Sequence, residues 1–280
     1  MLVNQHEEPA PPTSGGEQVV VRLRHVSIGY GDRAVVRDAD LTVRRGDVVA
    51  VLGANGSGKT TLVRGLLGLA TVLSGEATVL GDSIGSPRTR GRVGYVPQRQ
   101  TVAGSIPSTV REVVASGRLP RRPVLGRRRP ADREAVDRAI AAVDLEQWAD
   151  TDIAQLSGGQ QRRALIARAL ASEPDVMIMD EPTAGVDLAN QQALAVSIGR
   201  LVERGVTLLV VTHEVGPLAG VLTRSVVVRD GRIVYDGPLH HGLGVGAPHE
   251  HGGHHDAHHL ADPADPEQAS GWLEHPIGER

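Results

Sequence analysis

Gly53-Ala54-Asn55-Gly56-Ser57-Gly58-Lys59-Thr60 is the stretch that decides how the rest of this 280-residue chain is read. It fits the spacing G-x-x-x-x-G-K-[ST], in which glycines let successive backbone N–H groups turn inward around phosphate oxygens and the next helix presents its positive N-terminal end. Lys59 is placed to reach the β- and γ-phosphates of a nucleotide and Thr60 to hold Mg²⁺; Gly53, Asn55, Gly56, Ser57, Gly58 and Thr61 belong to the same cradle. Lys59 is also the only lysine, the other 29 cationic side chains being arginine. A compact ammonium is kept at the one place where a planar guanidinium fits badly.

Outward from this loop, Val48-Val49-Ala50-Val51-Leu52 reads as a buried parallel strand and Lys59 to Leu69 as a helix. Val19 to Ser27, Ala39 to Val43 and Glu76 to Leu80 alternate as strands flanking the loop's own strand. Ile106 to Leu170 turns mostly helical, and Val176 to Met179 and Val206 to Val211 return as short apolar strands with a helix between them. Ser225 to Tyr235 reads as a hairpin turning at Asp230-Gly231. The expected fold is a parallel α/β core with extra strands at its edge and a helical insertion. Residues 1–18 and 239–280 lack core patterning and read as disordered tails around one ordered domain, 19–238. No internal repeat is visible, so one nucleotide-binding unit is expected.

Composition narrows the function. With 40% hydrophobic residues, 2% aromatics and no Phe, the core must be built from Val, Leu, Ile and Ala. A formal net charge of −3 gives no global attraction to nucleic acid or to an acidic membrane surface. The absence of cysteine excludes disulfides, thiolate chemistry and Cys-based zinc sites, which fits a cytoplasmic setting. No run approaches the about 18 apolar residues that a membrane span requires, and the N-terminus lacks the pattern of a signal peptide.

Asp180 ends the strand Val176 to Met179 and Glu181 follows at once. A carboxylate at the C-terminal end of a parallel strand sits at the ligand edge of the sheet, where it can hold Mg²⁺ while the next acid deprotonates an attacking water. The competing reading is a pair of acids capping the following helix.

Leu156-Ser157-Gly158-Gly159-Gln160, followed by Gln161-Arg162-Arg163 and a helix, resembles the signature of ATP-binding cassette (ABC) ATPases, and the resemblance runs from about Val19 to Gly237. It implies a P-loop NTPase fold: a RecA-like parallel core, an antiparallel β edge subdomain and a helical insertion at about 99–171. Further matches follow in family order. Tyr30 resembles the aromatic that stacks on adenine, Gln98 the Q-loop glutamine that also reaches Mg²⁺, Asp187 the end of the D-loop, and His213 the switch histidine at the γ-phosphate. The D-loop departs from the usual Ser-Ala-Leu-Asp, reading Ala184-Gly185-Val186-Asp187. Leu156 lies 97 residues beyond Lys59, across the helical insertion, so the signature is poorly placed to reach its own chain's nucleotide. The resemblance implies a head-to-tail dimer with two ATP molecules between the copies, a separate transmembrane permease, an extracytoplasmic metal-binding protein, and a place on the cytoplasmic face of the membrane.

The cargo is read from weaker signals. Pro107 to Gly117 and Glu181 to Asp187 resemble the ATPases of zinc and manganese importers. His240, His241, His249, His251, His254, His255, His258 and His259 make up eight of the 12 histidines. Neutral imidazole suits Zn²⁺ and binds Mn²⁺ weakly, so the tail favours zinc; a solvated low-complexity tail is the other reading. Import of manganese or iron, or a soluble ABC ATPase without a channel, stand as alternatives. Arg118 to Arg129, with six arginines, reads as a solvated loop rather than a patch for an acidic partner.

Overall fold

A computed structural model describes residues 18–89, 91–98, 107–121 and 129–239. Residues 1–17 and 240–280, with the eight clustered histidines, and most of the arginine-rich run lie outside the described residues.

The chain opens with two long strands, β1 (Val19–Tyr30) and β2 (Arg33–Arg44), then β3 (Val48–Leu52) and helix α1 (Lys59–Leu66). Next come β4 (Thr71–Val79), β5 (Asp82–Ser83) and β6 (Val93–Val96). Helices α2 (Val110–Ser116), α3 (Pro130–Ala141) and α4 (Gly158–Ala171) fill the expected insertion. The core resumes with β7 (Val176–Asp180), α5 (Leu188–Glu203) and β8 (Thr207–Val211), and closes with the hairpin β9 (Arg224–Arg229) and β10 (Arg232–Pro238).

These strands form two sheets. One is antiparallel, in the order β2-β1-β4-β5; the other runs β10-β9-β3-β8-β7-β6, parallel except for the β9–β10 hairpin. Successive side chains of a strand point to opposite faces, and both faces of the six-stranded sheet are covered. Val48, Ala50, Leu52, Met177 and Met179 pack with the helices of the insertion and α5. Val49, Val51, Val176 and Ile178 pack with Leu62, Val63 and Leu66 of α1 and with the inner face of the antiparallel sheet. Two covered faces explain why β3 is apolar throughout and β7 and β8 are apolar at all but one position, Asp180 and Thr207.

Four expectations need correction. The edge strands flank β3 in sequence only: in space β3 lies between β8 and β9. Helix α1 stops at Leu66, not Leu69; it lies so close to β1 that a Cβ on Gly65 would sit 2.5 Å from the Ile28 side chain. Strand β4 begins at Thr71 rather than Glu76, and β6 went unforeseen because four residues among Gly and Pro carry too little pattern. Arg118 does not belong to a solvated loop. It is 8% exposed, and its guanidinium donates to Asp132 (2.9 Å), the Ala171 carbonyl (2.9 Å) and Glu173 (2.8 Å), joining α2 to the start of α3 and the end of α4.

Candidate functional site

The C-terminal ends of four parallel strands meet at one cavity of about 440 Å³, lined by Val35, Asn55, Gly56, Gly58, Lys59, Thr60, Thr61, Gln98, Glu181 and His213. Each strand delivers its group where an α/β sheet gathers ligands: β3 leads to the P-loop, β6 to Gln98, β7 to Asp180 and Glu181, β8 to His213. A larger cavity of about 580 Å³ lies between α2 and α3 and contains none of these residues.

The loop is held tightly. Gly53 has φ +152°, and a Cβ there would lie 2.2 Å from the Val228 carbonyl oxygen, so no other residue fits without moving β9. Lys59 is 5% exposed, and its Nζ donates to the carbonyls of Gly53 (2.7 Å) and Ala54 (2.9 Å). Burial lowers its pKa, while the charges of Glu181 and Asp180 push the other way. Among the described residues, two buried side-chain oxygens have no hydrogen-bond partner, Ser57 Oγ and Asp180 Oδ1. Burying an unpaired oxygen costs free energy, so orphans at a phosphate loop point to a bound group that completes them.

Asp180 is 2% exposed, and burial first, then the charge of Glu181, raises its carboxyl pKa. Glu181 follows in the left-handed region, φ 45°, a conformation that costs a non-glycine residue on the order of 1–3 kcal/mol and gathers at working sites. That turn directs its carboxylate to the cavity, where it accepts a short hydrogen bond from Gln98 Nε2 and lies 3.7 Å from His213 Nδ1. Asp180 Oδ1 and the Thr60 hydroxyl are hard oxygen donors, the chemistry that Mg²⁺ takes.

The signature residues are elsewhere. Ser157 and Gln160 form a capping box for α4: Ser157 Oγ accepts from the Gln160 N–H (3.3 Å) and Gln160 Oε1 from the Ser157 N–H (2.9 Å). Ser157 and Gly158 are exposed, and neither they nor Gly159 line the P-loop cavity. Asp187 caps α5 through the Asn190 N–H (3.0 Å), and Asn190 in turn packs on Gly159. Tyr30 is not brought to the cavity either. It sits half-exposed in a separate groove with Leu69, Ala70 and Ile84, its hydroxyl accepting from Arg64 Nη1 (3.2 Å).

Sequence reasoning assigned no role to Val35, which gives the cavity its apolar wall, or to Arg162, which sits beneath the loops that carry Gln98 and Glu181. Arg162 had a signal: with Leu165, Ile166 and Ala169 it stands at i, i+3, i+4 and i+7, on the buried stripe of α4. The eight tail histidines lie outside the described residues. Among the described residues, one group of three could gather a metal ion, His25, Asp38 and Asp40 on β1 and β2. It is exposed and already ion-paired: the hydrogen bond to Asp38 raises the His25 pKa, and Arg232 lies 3.7 Å from Asp38.

Known proteins share this architecture. The profile of the family described as ABC transporter matches residues 36–184. The manganese transport system ATP-binding protein MntB of Bacillus subtilis is 40% identical over 194 residues, 69% of this chain and 77% of that protein. The zinc transport system ATP-binding protein TroB of Treponema pallidum is 36% identical over 219 residues, 78% and 81% of the two chains. The ferric enterobactin transport ATP-binding protein FepC of Escherichia coli is 37% identical over 224 residues, 78% and 82%. Among solved structures, cbiO1 of Clostridium perfringens, part of the ABC transporter complex cbiONQ, superposes with a TM-score of 0.71 at 26% identity, covering 79% of this chain and 89% of that one.

Proposed function

This chain belongs to the ABC transporter family, and from that premise we propose that it is the ATP-hydrolysing subunit of an importer for a divalent metal, zinc above all. It is an ATPase whose hydrolysis is coupled to transport. The observation that carries the nucleotide reading is the pair of orphaned oxygens, Ser57 Oγ in the loop that ends in the buried Lys59 and Asp180 Oδ1 at the end of β7.

In this reading the P-loop N–H groups and Lys59 Nζ hold the β- and γ-phosphates, Nζ leaving the two carbonyls it now bonds. Thr60, Asp180 and Gln98 would hold Mg²⁺, which when bound neutralises charge developing on the phosphate oxygens. Glu181 takes the proton of the attacking water, and Gln98 and His213 fix the direction of its carboxylate. Val35 supplies an apolar surface beside the phosphates. An exposed Ser157-Gly158 that its own cavity does not use supports a head-to-tail pair in which the helix N-terminus of one copy meets the γ-phosphate held by the other.

Among the described residues no helix is long and apolar enough to cross a membrane. In the proposed system a separate permease provides the channel, this subunit works at its cytoplasmic face, and an extracytoplasmic metal-binding protein delivers the cargo. The relatives place the chain among metal importers without separating zinc from manganese, since both metals appear in their names. The eight clustered histidines favour zinc. ATP turnover of the chain reconstituted in vesicles with its permease, compared with Zn²⁺ and with Mn²⁺ on the binding-protein side, tests the assignment. Stimulation by Mn²⁺ alone would make this a manganese system. In parallel, calorimetric Zn²⁺ titration of the full chain and of one ending at Leu239 tests the tail: micromolar binding lost on truncation, and weakened below about pH 6 as imidazoles protonate, is the expected result.

A further inference from the structure

Arg162 occupies the second turn of α4, the helix that the signature begins, and is 8% exposed. A guanidinium has five N–H groups, and here five carbonyls receive them. Nε donates to Pro182 (3.2 Å), Nη1 to Pro97 (2.5 Å) and Gln98 (3.3 Å), and Nη2 to Asp180 (3.0 Å) and Glu181 (3.1 Å). One side chain therefore grips the backbone on both sides of the Gln98–Glu181 hydrogen bond while anchored in the signature helix. None of the five acceptors is a carboxylate. Burying this guanidinium costs desolvation, which the Asp180 charge offsets only in part, so its place is justified by the five carbonyls it joins rather than by the volume it fills.

We propose that Arg162 is a positioning residue that couples the signature helix to the hydrolytic carboxylate. It locks the Gln98 and Glu181 loops into one unit whose seat is set by α4, so a displacement of the helix N-terminus carries Glu181 with it. Pro97 and Pro182 stiffen the two gripped segments, and the left-handed turn at Glu181 leaves that residue little freedom to follow any other path. The inference rests on the ATPase reading given above.

Arg162→Lys and Arg162→Met test it, with and without Gln98→Ala. Lysine concentrates three donors on one nitrogen and cannot span both loops; methionine keeps the volume and removes every donor. Expected in each folded variant are ATP affinity within about threefold of wild type, because the P-loop is untouched, and kcat lower by tenfold or more. Adding Gln98→Ala should then cost much less than it does in the wild-type background, since both changes break the same unit. A purely structural role predicts instead a lower unfolding temperature, near-normal kcat well below it, and additive effects with Gln98→Ala; that outcome, or failure of both variants to fold, overturns the proposal. Absence of ATP turnover in the wild-type chain would fault the ATPase reading rather than this one.

Discussion

Gly158 and Gly159 are neighbours in sequence and opposites in space, which makes them a sharp test of the head-to-tail dimer. A Cβ on Gly158 meets nothing within 4 Å, and the residue is exposed in the first turn of α4. Alanine is better than glycine at a helical position by roughly 0.5–1 kcal/mol, so Gly158→Ala should stabilise the chain. For a domain of this size that is a rise in unfolding temperature of about 1–4 °C. A Cβ on Gly159 would lie 2.3 Å from Asn190 Oδ1 and 2.7 Å from Asn190 Cβ, and Asn190 is held by Asp187 through its N–H. Relief requires α5 to shift, so Gly159→Ala should cost about 1–3 kcal/mol. If Gly158 faces the nucleotide of a second copy, its alanine variant gains stability and loses at least tenfold in turnover. Thermal unfolding by circular dichroism and steady-state ATP hydrolysis at saturating nucleotide measure the two effects on one sample. A stabilised Gly158→Ala with normal turnover and normal ATP-dependent dimerisation would refute the head-to-tail placement, because among the described residues of its own chain nothing meets a Cβ at that position.

Glu181→Gln should retain ATP binding and lose about 10²-fold or more in hydrolysis, trapping a nucleotide-bound dimer visible by size exclusion; turnover near wild type removes Glu181 as the base. Lys59→Arg should be nearly as damaging as Lys59→Ala, since Nζ is a single compact donor gathered by the Gly53 and Ala54 carbonyls at 2.7 and 2.9 Å, a point charge that a planar fork does not reproduce; equal ATP affinity in the arginine variant would contradict this. Burial acts to raise the Asp175 pKa, but hydrogen bonds from Arg92 and Arg45 outweigh it and hold the carboxyl below its ordinary value. A depressed folded-state pKa stabilises above the unfolded value and is lost as pH falls through the folded one, so Asp175→Asn should cost about 1 kcal/mol at pH 7, allowing for half-exposed arginines, and progressively less below about pH 4. A stability gap that stays constant from pH 7 to pH 3 would rule out the charge as its source.

The parallel core was legible because buried parallel strands leave a plain trace. Val48–Leu52 and Thr207–Val211 are apolar at every position but one, and both of their faces are covered. The hairpin was legible for a different reason: Asp230-Gly231 supplies two consecutive positive-φ residues, which is what a two-residue turn demands. The Thr71 start of β4 was not legible, because that half of the strand is mostly exposed and its residues answer to pairing with β1 rather than to a core. At the site, residues carried by a short motif were readable however far they lie from the loop in sequence, as Gln98, Glu181 and His213 do, whereas Val35 and Arg162, which belong to no such motif of their own, were not. Arg162 lies 64 positions from Gln98 and 19 from Glu181, and the carbonyls it binds belong to residues of any type, so only the fold brings donor and acceptors together.

Arginine richness misled for a physical reason as well. A run of like charges reads as solvated because each charge alone prefers water. Arg118 escapes that rule by finding Asp132, Glu173 and the Ala171 carbonyl at the junction of α2, α3 and α4, where its five donors and long apolar stem can close three elements at once. Arg162 does the same with carbonyls alone. In a chain with no Phe, no Cys and one lysine, guanidinium groups have taken over part of the cross-linking between elements, and a buried arginine is then a structural or positioning device wherever its partners come from more than one segment.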